Sequence, residues 1–323
     1  MLSSPMSGGA SSGAVSVAAV VVTHEPDIDA LLLTLQETSR QVSRTVVVDN
    51  GSQCQVPLMR RLEPLSGVAL IRLGENRGIA AALNIGVRRL ATEELGHTWV
   101  LTLDQDTLLH PGAITSLLGS LDLLDATTRN ECGVVGLRHK SVEMSHGPWR
   151  WAERDNRVRD LGNGFRERRL LITSGNLVRR EVAEAIPFEE PLFMDQVDYA
   201  FCAAVRSRGW RVLELTDVLM DHQIGQVFEV RRRVRRYETG QRLYYITRNS
   251  TLLMLRRQLP LSVYLAQLLS WCWAYGAVNG PSAIPREMTI VLAGLGDGIL
   301  RRLGQREYWF LAEPRKQQAK PQA

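Results

Sequence analysis

Two aspartates one residue apart, Asp104 and Asp106, end the apolar run Trp99-Val100-Leu101-Thr102-Leu103. Residues i and i+2 of an extended strand point the same way, so both carboxylates can serve one hard cation and the phosphates bound to it. A divalent ion held there, magnesium or manganese, would neutralise a diphosphate leaving group. Ordinary solvated turn chemistry is the alternative, and the position after the fourth strand of a βα series weighs against it. His222, downstream of a further apolar stretch, is a candidate third ligand because a neutral imidazole suits such ions; a lone histidine is more often structural. Asp195 and Asp198, in Phe193-Met194-Asp195-Gln196-Val197-Asp198, stand at i and i+3, a spacing that a helix start would put on one side. A carboxylate there could take the proton of an attacking hydroxyl, although acids in a first helical turn also suit the macrodipole.

Other polar groups punctuate the ends of apolar runs. Asp49 and Asn50, in Val47-Val48-Asp49-Asn50-Gly51-Ser52, are placed to accept hydrogen bonds from a base or ribose, or to make an Asn-Gly turn. Thr23, His24 and Glu25 end the first run. The stretch Asn76 to Asn84 opens a helix whose first turns carry tiny side chains, which lets a ligand or another backbone come close. Packing of an alanine-rich helix explains the alanines but neither Arg77, which could neutralise a phosphate, nor Asn84. Ser174-Gly175-Asn176 follows an apolar stretch and is a candidate for acceptor binding.

The elements that must position these groups alternate. Residues 16–23 form a β-branched run typical of a strand buried on both faces. A helix follows with Ile28, Leu31, Leu32 and Leu35, then a strand at 45–48, a strand at about 68–73, a helix at about 78–91 and a strand at about 98–103. Such alternation predicts right-handed βαβ units on a parallel sheet, whose ligands gather at the carboxyl ends of the strands. Residues 141–168 read as a polar, irregular loop, followed by a strand at about 169–173, a helix near 180–186, a helix after Asp195 and a strand at 211–215.

A composition of 45% hydrophobic and 23% charged residues is that of an ordinary folded protein. The cysteines, Cys54, Cys132, Cys202 and Cys272, form no CxxC pair, so neither a zinc site nor a disulfide framework is indicated, and reduced thiols in a cytosol are expected. Residues 1–14 are rich in Ser, Gly and Ala and read as a flexible leader rather than a signal peptide. Residues 231–323 carry 16 Lys/Arg against 5 Asp/Glu, a net +11, which leaves −6 for the remainder. Such asymmetry suggests an acidic partner, nucleic acid or an anionic membrane surface. Five arginines between Arg231 and Arg236 read as a solvated basic helix face. The uncharged stretch Leu259–Val278 approaches the roughly 20 residues that cross a bilayer, diluted by Pro260, Ser262, Gln267, Ser270 and Gly276. A second helical pattern runs through Met288, Val291, Leu292, Leu295, Ile299 and Leu300, and 306–323 reads as a flexible tail.

In their order, these motifs resemble family-two glycosyltransferases of the GT-A fold, in particular their bacterial rhamnosyltransferase branch, whose Arg-Asn pair is matched by Tyr244-Tyr245-Ile246-Thr247-Arg248-Asn249. The resemblance covers roughly residues 16–250. It implies an α/β, Rossmann-like, mostly parallel sheet with helices on both faces, a catalytic domain over 15–230 (nucleotide-sugar half 15–110, acceptor half 111–230) and a helical appendage over 231–305. It implies an inverting, metal-dependent transferase with a nucleotide sugar as donor, dTDP-rhamnose in that branch, and a glycan or lipid-linked acceptor at the cytoplasmic membrane face. Thr23, His24, Glu25, Asp49, Asn50, Arg77, Asn84, Asp104 and Gln105 would bind the donor. Asp104, Asp106 and His222 would hold the metal, and Asp195 would be the base with Asp198 in reserve. Many members carry Glu-Asp where this chain has Asp195-Gln196, and an amide is no useful base near neutrality.

Rival classes lack their marks. No G-x-G-x-x-G follows the first strand and no G-x-x-x-x-G-K-[ST] occurs, and the basic, glycine-rich N-terminal loop of a sugar nucleotidyltransferase is missing. A non-catalytic nucleotide-sugar-binding module and a basic nucleic-acid-binding module are the non-enzyme alternatives, the latter opposed by the acidic N-terminal part. A dimer interface through the C-terminal helices is the alternative to membrane contact.

Overall fold

The computed structural model describes residues 16–53, 60–63, 65–93, 96–139, 149–222, 226–230, 233–237 and 239–311. The expected leader, Cys54, Arg231, Arg232 and the last twelve residues of the expected tail lie outside them.

The β-branched run forms β1 (Val17–Thr23), and α1 (Ile28–Ser39) starts where the Asp27 carboxylate accepts from the N–H groups of Asp29 and Ala30. There follow β2 (Arg44–Asp49), β3 (Val68–Arg72), α2 (Ile79–Thr92), β4 (Trp99–Asp104) and the short β5 (Thr107–Leu109). Strands β3, β2, β1 and β4 are neighbours in that order and all parallel. Their register puts Thr23 opposite Asp49 and Val22 opposite Asp104. The polar ends of three adjacent strands therefore share one edge, as the βα alternation predicts.

Beyond β4 the chain passes through α3 (Ala113–Asp122), α4 (Ala126–Glu131), β6 (Cys132–His139), α5 (Trp149–Asn156), β7 (Arg157–Gly162), β8 (Phe165–Arg168), β9 (Asn176–Arg179), α6 (Arg180–Ala185), α7 (Val197–Ser207) and β10 (Arg211–His222). The sheet continues β9-β6-β10-β8-β7, with β9 antiparallel between β4 and β6 and β10 parallel to β6. The far end of β10 pairs antiparallel with β5, setting His222 opposite Thr107.

Two expectations need correction. Residues 149–168 are a helix and a hairpin instead of an irregular loop: β7 lies at the sheet edge with exposed residues on both faces, which removes the alternation that marks a half-buried strand. The strand expected at 169–173 begins at Asn176, and Leu170 and Leu171 fill the core from an irregular segment before it.

Alternation along β1 divides the core. Ala18, Val20 and Val22 face Ala80, Leu83 and Val87 of α2, while Val17, Ala19 and Val21 face Leu31 and Leu35 of α1 and Leu117 of α3. Gly86 of α2 lies directly on the Val20 side chain, where a Cβ would have no room.

The C-terminal region forms the hairpin β11 (Gln226–Val230) and β12 (Arg233–Tyr237), then α8 (Gly240–Leu255), α9 (Leu261–Asn279) and α10 (Ile284–Ile299). Residues 233–236 are thus strand where a basic helix face is expected; charge counting does not separate the two. Leu252 and Leu253 of α8, with Val263 and Ala266 of α9, join the core cluster under α2. Residues 306–311, expected to be flexible, pack on the helices: the Arg306 N–H donates to the Tyr245 hydroxyl (2.9 Å) and Arg286 Nε to the Phe310 carbonyl (2.9 Å). Among the described residues one helix, Leu261–Asn279, is long and apolar enough to cross a membrane.

Gly86→Val is expected to lower stability by about 1–3 kcal/mol, because the added methyls must displace Val20 in a close-packed core. Chemical denaturation measures this, and an unchanged midpoint would contradict the α2–β1 contact.

Candidate active site

Asp104 ends β4, Asp106 follows it in the turn to β5, and His222 arrives from β10 through the β5 pairing. Their ligand atoms lie within 4.8 Å of one another. His222 Nε2 is 3.7 Å from Asp104 Oδ2, and Nδ1 is 3.3 Å from Asp106 Oδ1. A chain of hydrogen bonds fixes this approach. The Asp104 N–H donates to Ser174 Oγ (2.9 Å), the Ser174 and Thr107 hydroxyls are bonded (2.6 Å), and Thr107 is bonded to His222 Nδ1 (2.8 Å). Burial raises the Asp104 carboxyl above its usual range, with His222 opposing and Asp106 adding to the rise. Two carboxylates and an imidazole form a donor set suited to Mg²⁺ or Mn²⁺.

Asp49 lies two strands away and is fully buried. Its Oδ1 accepts from the Ser52 N–H (3.3 Å), the Ser52 hydroxyl and the Thr23 hydroxyl (3.5 Å). Among the described residues its Oδ2 is buried with no hydrogen-bond partner. An unmatched carboxylate oxygen is costly unless a ligand donor meets it, and this one fits an N–H or hydroxyl of a nucleoside.

The residues expected to surround the donor divide into two groups. His24 is exposed beside this edge, its Nδ1 3.0 Å from the Asn50 carbonyl, and Arg77 is exposed at the approach to α2. The others are supports. The Gln105 side chain accepts from the His24 N–H (2.8 Å), tying β1 to the Asp104–Asp106 turn. Glu25 accepts from the Gln53 N–H (2.8 Å). The Asn50 amide donates to Asn76 Oδ1 (3.0 Å) and accepts from the Arg77 N–H (2.9 Å), latching the loop before α2. Asn84, expected to bind the donor, is buried and clamps Phe188 through two hydrogen bonds of 2.8 and 2.9 Å.

Ser174, Gly175 and Asn176, expected to meet an acceptor, each hydrogen-bond within the chain at this sheet edge. Ser174 belongs to the chain just described, the Gly175 N–H donates to the Thr102 carbonyl (2.8 Å), and Asn176 Nδ2 donates to the Ile172 carbonyl (2.7 Å). Gly175 has φ +84° with Met220 against it, so a side chain there is excluded twice over.

The aspartate pair is not a simple i, i+3 face. Asp195 and Gln196 have φ of +57° and +63°, and α7 begins after them. Asp195 is ion-paired with Arg242 (Nη2 to Oδ1, 2.6 Å), a residue that spacing alone does not single out. Asp198, in the first turn of α7, is pushed up to about 7 by burial, with a backbone hydrogen bond to the Tyr199 N–H opposing and Asp195 and Asp104 adding to the rise. Arg248 and Asn249 reach this turn from below. The Asn249 amide nitrogen lies 2.7–3.0 Å from the carbonyls of Leu192, Met194 and Asp195, and Arg248 Nη2 donates to the Leu192 carbonyl (2.8 Å).

Residues 16–186 match the family described as Glycosyl transferase family 2. The chain belongs to that family. Its α/β sheet, with the acids at the carboxyl ends of parallel strands, is the GT-A arrangement expected, and the chain is a glycosyltransferase. Within the family it is 28% identical over 268 residues to the dTDP-rhamnosyl transferase RfbF of Shigella flexneri, covering 79% of this chain and 85% of that one. Among solved structures it is similar to GalNAc-T7 with UDP, GalNAc and Mn²⁺, at a TM-score of 0.49 and 13% identity over 64% of this chain and 44% of that one, which is less than half of its length. It is also similar to a glycosyltransferase involved in glycosylation of the major capsid of PBCV-1, at a TM-score of 0.35 and 10% identity over 65% and 94% of the two chains.

Asn249→Ala leaves buried carbonyls unmatched around Asp195, and the expected loss of stability is about 2–3 kcal/mol. Urea unfolding reads it, and a variant as stable as the parent would show that the turn holds itself.

Proposed function

We propose that this glycosyltransferase is an inverting, metal-assisted rhamnosyltransferase that moves rhamnose from dTDP-rhamnose to a hydroxyl of a glycan or lipid-linked acceptor, working at the inner face of the cell membrane in surface-polysaccharide synthesis. The observation that carries the reaction class is the convergence of the Asp104–Asp106–His222 cluster with the buried, unpartnered oxygen of Asp49 on one sheet edge. The donor sugar rests on the likeness to RfbF. Asp49 suits a thymine or uracil N3–H, which both pyrimidines carry, so the base alone leaves those two nucleotides alike.

A divalent cation held by Asp104, Asp106 and His222 would neutralise the departing diphosphate. The chain's own residues do the rest. The acceptor oxygen attacks the anomeric carbon as the bond to the diphosphate breaks, and the hydroxyl proton passes to a carboxylate. Asp198 is the better base. Its raised pKa gives it proton affinity near neutrality, whereas the Asp195 carboxylate is engaged in an ion pair with Arg242. Asp195, the first choice from its position in the sequence, then orients Arg242.

The base must be ionised to act, so transfer falls as pH drops through its pKa. The expected pH–rate profile has an acid limb with an apparent pKa of about 7 or below, since a cation near Asp104 lowers it. Asp198→Asn should cut transfer by about 10²-fold or more while leaving donor affinity intact. Loss of turnover in Asp195→Asn but not in Asp198→Asn would reverse the assignment. A panel of nucleotide sugars scored for slow hydrolysis tests the donor: dTDP-rhamnose should be turned over first, and a clear preference for a uridine-linked hexose would refute rhamnose.

A further inference from the structure

The two last helices are inside out for a surface facing water. In α10 the carboxylates Glu287 and Asp297 are 8% and 4% exposed, whereas Ile284, Met288, Leu292 and Ile299 are 49%, 54%, 61% and 59% exposed. At 3.6 residues per turn those four apolar side chains fall in an arc of about 80°, so they form one stripe. The inward side is satisfied: Asp297 accepts from the hydroxyls of Tyr244 and Tyr308, both at 2.7 Å.

Helix α9 repeats the arrangement. It contains no Asp, Glu, Lys or Arg, its Leu261, Leu265, Leu269 and Trp273 are exposed at four-residue spacing, and its Gln267 is buried. A water-facing helix puts charge outside and leucine inside. Here α10 buries its acids and exposes an apolar stripe, and the uncharged α9 exposes a second stripe; exposed apolar surface of this kind marks contact with a protein or a membrane.

Charge decides between those partners. Arg257 precedes α9, Arg301 and Arg302 follow α10, and all three are exposed, while Arg256, next to Arg257, is ion-paired with Glu189 (2.8 Å). The β11–β12 hairpin, with Arg233, Arg235 and Arg236 in its sequence, rests against α9. Residues 231–323 carry a net +11, so a second copy docked on the same face would bring like charge against like. An anionic bilayer supplies the opposite charge and an apolar interior a few ångströms below it.

We propose that α9 and α10 are a docking face for the surface of an anionic lipid bilayer, with the outward leucines and Trp273 in the acyl boundary and the flanking arginines at the phosphates. The inner side of α9 is taken up by α5 and α8, which leaves one side for lipid and sets the helix in the membrane plane instead of across it. The inference does not depend on the identity of the donor sugar.

The test is flotation of the full chain with vesicles of phosphatidylcholine alone or mixed with phosphatidylglycerol, with the triple variant Leu265→Gln, Leu269→Gln, Leu292→Gln alongside. These side chains already face outward, so the variant should keep the parent's melting temperature. The parent should float only with phosphatidylglycerol and be released by salt. The variant should bind about a hundredfold more weakly or worse, as the transfer free energy of leucine implies. A parent that stays unbound at low salt, or a variant that floats equally well, overturns the proposal. So does sedimentation showing a dimer that the three substitutions dissociate, or protein in cell membranes that resists alkaline extraction, which would mean that α9 crosses.

Discussion

Two carboxylates and an imidazole held within reach of one another in a partly buried crevice repel or desolvate one another unless something fixes them. Here the fixing is done at a single strand end. The Asp104 N–H, Ser174, Thr107 and His222 form an unbroken hydrogen-bond chain drawn from three stretches of sequence. Burial raises the Asp104 carboxyl above its usual range, and a bound cation would offset that penalty. The antiparallel β9, inserted between β4 and β6, brings Ser174 to the end of β4, and β5 turns back to meet β10.

The second constraint is the turn from Phe193 to Gln196. It carries three departures from ordinary backbone in four residues, with φ of +65° at Phe193, +57° at Asp195 and +63° at Gln196. Non-glycine residues hold such angles only when their surroundings over-determine them. Arg248 and Asn249 supply that from α8, while the Ile79 N–H donates to the Phe193 carbonyl from the start of α2. Helix α8 thus holds the turn that carries Asp195, and its neighbours α9 and α10 carry the exposed apolar side chains.

Much of the β1–β4 part of the sheet is legible in the sequence because it rests on short-range signals. The β-branched run of β1, the apolar run of β4 and the Asp104–Asp106 spacing each state their structure locally. The rest needs partners that sequence does not reveal. Ser174, Asn84 and Asn50 are polar residues at turns or helix starts, and nothing in their spacing separates a group that binds a ligand from one that holds a neighbour. Arg242 pairs with Asp195 across 47 positions, a contact invisible to any local pattern. The hairpin at 226–237 was hidden by its arginines, since dense charge reads equally as helix or strand.

The central claim is that Asp49 and the Asp104–Asp106–His222 cluster act on one ligand, and coupled binding tests it most directly. Calorimetric titration of thymidine diphosphate into the protein with and without Mn²⁺ should show nucleotide affinity rising about tenfold or more with the metal. The coupling should disappear in His222→Ala, which lacks the third ligand. Equal affinity with and without Mn²⁺ in the unaltered protein would contradict a shared site.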